Sequence, residues 1–125
     1  MDKTIFKNFS IWLNNILENN DFSDVIAFNF NLYEGEDSFQ VQLIGTDSFD
    51  ENDDDWACDE VFTSENLFII QRSITGQKWD EGLAYIKKIV EEYLKSSSSS
   101  KVLKEKDAVA IGFVDGDLEV LLKNG

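Results

Sequence analysis

The sequence predicts a single α+β domain, with two main amphipathic helices packed on an antiparallel sheet of about five strands. The predicted order is helix, two strands, one or two further strands, helix, two strands. Three observations lead there. Apolar residues recur at three- and four-residue spacing in two separate segments. They alternate with polar residues in the segments between. An Asp-Gly pair near the C-terminus sits between two alternating runs, the signature of a hairpin.

The first segment places Ile5, Phe9, Trp12 and Ile16, joined by Phe6, Leu13 and Leu17, on one stripe of a helix over about residues 3 to 19. Next, "VIAFNFNLY" sends Ile26, Phe28, Phe30 and Leu32 to one face and Ala27, Asn29 and Asn31 to the other. After the turn "EGED", "SFQVQLI" alternates through Phe39, Val41 and Leu43, so two half-buried strands form a hairpin. An acidic loop, 47–60, follows, and strand character resumes in "ACDEVF" or in the short apolar run "NLFIIQR". The second helix is written in "TGQKWDEGLAYIKKIVEEYL" through Trp79, Leu83, Ile86, Val90 and Tyr93 or Leu94, with lysines and glutamates outward. A serine run, 96–100, reads as a mobile connection. Folding "AVAIGFVDGDLEVLLK" at Asp115-Gly116 as a two-residue turn puts Phe113 opposite Leu118, Ile111 opposite Val120, and Val109 opposite Leu122. That hairpin is expected at or next to the centre of the sheet.

At 125 residues, 42% hydrophobic, with ten Phe and three Trp, the chain is long enough and apolar enough to bury a core as one domain. A single cysteine, Cys58, precludes an internal disulfide and fits a reducing compartment. The N-terminal segment interleaves asparagines and an acid with its apolar residues, unlike a signal peptide or a membrane span. Cytoplasmic residence is the expectation.

Much chemistry is missing from the inventory. Without histidine there is no Ser-His or Cys-His nucleophile pair and no histidine-bearing zinc site. Cys58 lies among acids, which disfavour its thiolate. No Gly-rich phosphate loop follows a strand, and no cofactor or metal is expected. Asp50, Asn52 and Asp54 alternate as calcium-loop ligands do. The sixth position is Asp55 where glycine is required, and the twelfth is Val61 where a glutamate is required. Paired carboxylates could serve glycoside hydrolysis only in a pocket that shifts their pKa, and acids in a polar loop stay solvated. The chain is therefore read as a non-enzyme.

What the sequence does carry is charge. Its formal net charge is −14, and residues 8 to 71 hold fifteen acids and no lysine or arginine. Nucleic acid and anionic membranes are poor ligands for such a surface, because both need basic patches. The densest stretch, "DSFDENDDDWACDE", supplies the candidate partner-binding residues Asp47, Asp50, Glu51, Asp53, Asp54, Asp55, Trp56, Asp59 and Glu60. Clustered acids steer a basic protein partner into contact. Trp56, interleaved with them, has two readings: an interface anchor or a core residue that pins the loop. The simplest alternative for the whole run is a solvated loop that confers solubility.

A small acidic α+β chain without catalytic inventory, carrying "DDDW" and "AIGFVDGDLEVLL", resembles the immunity proteins of bacterial contact-dependent inhibition and polymorphic toxin systems. The resemblance implies a cytoplasmic inhibitor, monomeric or weakly dimeric, that binds one cognate toxin domain, often a nuclease, and covers its active site or an adjacent surface. It carries over no individual residue. Type III secretion chaperones share size, acidity and much of the element order, but they end in a further helix where this sequence ends at "LLKNG". Mimicry of DNA would need acids spread along a face, whereas here they concentrate in one region.

Overall fold

The computed structural model describes residues 2–124. Its elements are α1 (Lys3–Glu18), β1 (Ala27–Glu34), β2 (Ser38–Thr46), a 3-10 turn (Asp54–Cys58), β3 (Glu60–Thr63), β4 (Phe68–Gln71), α2 (Arg72–Thr75), α3 (Trp79–Ser96), a second 3-10 turn (Ser98–Ser100), α4 (Lys101–Lys104), β5 (Ala108–Phe113) and β6 (Glu119–Lys123). Two long helices and a six-stranded sheet make one small α+β domain. No helix among the described residues is long and apolar enough to cross a membrane.

The apolar stripe of α1 is buried as its spacing predicts, through Phe9, Leu13, Ile16 and Leu17. Asp2 caps it: its carboxylate accepts from the backbone N–H groups of Thr4 at 2.7 Å and Ile5 at 3.2 Å. Replacing Asp2 with alanine leaves both donors unpaired and is expected to cost about 1 kcal/mol, readable as a lowered urea midpoint. Helix α3 buries Ile86, Ile89, Val90 and Tyr93 beside α1. Together the helices cover one face of the sheet, formed by Phe28, Phe30 and Leu32 of β1, Phe39, Val41 and Leu43 of β2, and Val109, Ile111 and Phe113 of β5.

The sheet order is β3-β2-β1-β5-β6, with β4 also pairing β2. Both "ACDEVF" and "NLFIIQR" contribute strands, and the two occupy successive stretches of the outer edge of β2. Ser64 bridges the gap between them. Its N–H donates to the Leu43 carbonyl at 2.9 Å, and its hydroxyl accepts from the Leu43 N–H at 3.1 Å.

Four expectations need correction. The sheet is mixed, because β5 runs parallel to β1. Helix α3 carries the chain back along the sheet, so β5 re-enters in the direction of β1. Local turn signals specify each hairpin and leave open which strands of the two hairpins adjoin.

The C-terminal hairpin also differs. Val109 opposes Leu122 as expected, but a bulge after Val109 brings Ala110 opposite Val120 and Ile111 opposite Glu119. The connection spans residues 114–118, and neither Asp115 nor Gly116 has positive φ. Leu118 explains the departure: its N–H donates to an Asp54 carboxylate oxygen at 3.1 Å, and its side chain packs on the reverse face of the sheet. β5 is interior while β6 is an edge.

The serine run is structured, since Ser100 is buried and its hydroxyl donates to the carbonyls of Ser97 and Leu94. Lastly, β1 is buried on both faces, Asn29 and Asn31 included, and what covers its second face is the acidic segment.

Candidate functional site

The reverse face of the sheet is lined by small residues where β1 meets β5: Ala27 lies opposite Ala108, Asn29 opposite Ala110, and Asn31 opposite Gly112. Three alanines leave a depression the size of a large side chain. Trp56 fills it, packed on Ala27, Ala108 and Ala110 and 4% exposed. Phe49 sits T-shaped against the indole with ring centroids 5.2 Å apart, and Ala57 and Leu118 close the margin. Of the two roles open to Trp56, the structure gives the core one, and in the folded chain it is no exposed anchor. The segment the sequence marks as an acidic loop is thus a lobe fastened to the sheet through one buried side chain.

Its eight acids all remain exposed. Several are tied locally, which orients the backbone while leaving charge at the surface. Asp53 caps the 3-10 turn by accepting from the Asp55 N–H at 3.0 Å. Asp50 accepts from the Asn52 N–H at 2.9 Å, Asp59 from the Ser48 hydroxyl at 2.7 Å, and Glu60 from the Thr63 hydroxyl at 2.9 Å. Asp54 is spent on Leu118, as described. Glu51 pairs with Lys123 at the end of β6, so lobe and hairpin are joined at two points. Being exposed, that ion pair adds at most about 1 kcal/mol. Asp47 and Asp55 make no ion pair among the described residues.

Asp50 and Asp54, which give the segment its calcium-loop look, are therefore turned toward backbone amides. Among the described residues no group of three or more His, Cys, Asp or Glu side chains is placed to hold a metal. Cys58 is a free, exposed thiol at the end of the turn. Beneath the lobe a groove of about 400 Å3 runs between Asp54, Asp55 and Glu60 on one side and Asn31 and Tyr33 of β1 on the other, with Phe113, Val114 and Leu118 also in its lining.

A second groove adjoins the first across the 113–118 turn, and sequence reasoning misses it. Trp79, assigned by its spacing to the buried stripe of α3, is 57% exposed. It occupies the first position of the helix, beyond the point where the stripe meets the sheet. Facing it are Phe113 and the turn acids Asp115 and Asp117. The available signal was its place at the helix start, next to "DGD" once the sheet order is known.

Comparison of the chain with protein-family models, with curated proteins and with solved structures finds no match in any of the three.

Proposed function

We propose that the protein is a non-catalytic acidic binding module that neutralises a cognate basic protein, a toxin domain of nuclease type, by covering its active site or an adjacent surface. One observation carries the reading. The most acidic stretch of the chain is held on the sheet by a buried tryptophan while all eight of its carboxylates face water. A preformed charged surface loses little conformational freedom when a partner arrives, so its attraction is not spent on ordering a loop. Clustered charges within a screening length of about 8 Å act together on an approaching cation. Enzymes that grip phosphate are themselves basic, which makes them natural targets for such a surface.

The test is genetic and biochemical at once. The protein encoded beside this chain is expressed with and without it, and growth and complex formation are followed. Growth arrest relieved by co-expression, with a stable complex on gel filtration, is the expected result. A neighbour whose secretion, and not whose toxicity, depends on this chain would point to the chaperone class and contradict the reading.

A further inference from the structure

A groove of about 620 Å3 lies between the start of α3 and the 113–118 turn. Trp79 forms one side of it, in T-shaped contact with Phe113 at 6.2 Å, and Leu83 and Ile111 continue the apolar lining. A tryptophan left more than half exposed within a groove is unusual material for a bare surface and common at contact sites.

The rim carries four carboxylates, two of them occupied. Glu34 holds Arg72 at 3.3 Å. Glu119 holds Lys87, and its hydrogen bond keeps that ammonium above the ordinary lysine range. Asp115 and Asp117 make no ion pair among the described residues. One aromatic face and two uncommitted carboxylates together suit a guanidinium, which stacks flat on a ring while its N–H fork bonds a carboxylate. The chain already contains this arrangement once: Arg72 lies 4.3 Å above the Phe39 ring and bonds Glu34.

We propose that the Trp79 groove receives an arginine side chain of the basic partner, stacked on the indole and held by Asp115 or Asp117. This rests on the binding role argued above and locates its point of recognition. The groove and the acidic lobe form one continuous surface, since the grooves on either side of the turn share Phe113, Gly116 and Leu118. Acids of the lobe would draw the partner in, and Trp79 would select arginine over lysine.

Two acetylated octapeptide amides, all-arginine and all-lysine, serve as probes in calorimetric titration of the whole chain at low salt. The arginine peptide is expected to bind more tightly. Trp79→Ala should weaken it about tenfold, with a smaller change for the lysine peptide, and Trp79→Phe should recover part of the loss. Asp115→Asn with Asp117→Asn should lower the arginine preference. Circular dichroism checks that each variant is folded. If Trp79→Ala leaves arginine binding unchanged while Asp53→Asn, Asp54→Asn and Asp55→Asn together weaken both peptides, the groove assignment is overturned and the acidic binding surface stands. If the two peptides bind equally and neither set of changes matters, both proposals fall.

Discussion

Replacing Trp56 with alanine is expected to destabilise the free protein by about 3–5 kcal/mol, the usual cost of emptying a buried aromatic site, and to lower its melting temperature by on the order of 10–20 °C. The indole is the largest side chain between the acidic lobe and the sheet, and it rests on Ala27, Ala108 and Ala110, which have nothing to extend into the space it would leave. Phe49 loses its ring partner as well. Once the anchor is gone, the mutual repulsion of eight acids favours release of the segment. Hydrogen exchange should therefore rise first across residues 47–60. An unchanged melting temperature would mean that the indole does not pack where the structure places it.

The second large effect reverses a common rule. Glycine to alanine inside a helix normally gains up to about 1 kcal/mol. Gly82→Ala in α3 is expected instead to cost about 1–3 kcal/mol, because a Cβ there would lie 2.4 Å from Cε2 and 2.6 Å from Cζ of Phe39. Phe39 is fully buried, with the Arg72 guanidinium 4.3 Å over its ring and Phe113 6.0 Å away, so it has no room to retreat. Denaturant titration of the variant decides the sign. Stabilisation would show that the helix can lift off β2 without loss.

Those two sites also show what a sequence can and cannot disclose. The stripe of α1, the alternation of β2 and the pairing of Val109 with Leu122 are local patterns, and each is legible. The burial of Trp56 is not, because a tryptophan among acids looks the same whether it points in or out. What decides it is the depression formed when Ala27 of β1 lines up with Ala108 of β5, residues 81 positions apart whose parallel pairing no local signal specifies. The shifted register beyond Val109 has a similar origin, since Leu118 is drawn toward Asp54 and the Trp56 cluster by contacts remote in sequence. Trp79 fits the helical period and is still exposed: periodicity gives the face of a helix, and the sheet's edge sets how far along it that face is covered.

The acidic surface itself was visible as composition, and its role is best tested by rate. Asparagine in place of Asp53, Asp54 and Asp55 removes three charges while retaining side-chain oxygens that can cap the 3-10 turn and accept from Leu118. The fold should hold, and only the field should change. The decisive measurement is the association rate constant, across salt concentrations, between this chain and the basic partner proposed above. The account predicts fast, steeply salt-dependent association that the triple substitution slows about tenfold at low salt, with the two proteins converging near 1 M salt, where screening acts within about 3 Å. Association with equal rates for both proteins and no dependence on salt would contradict it.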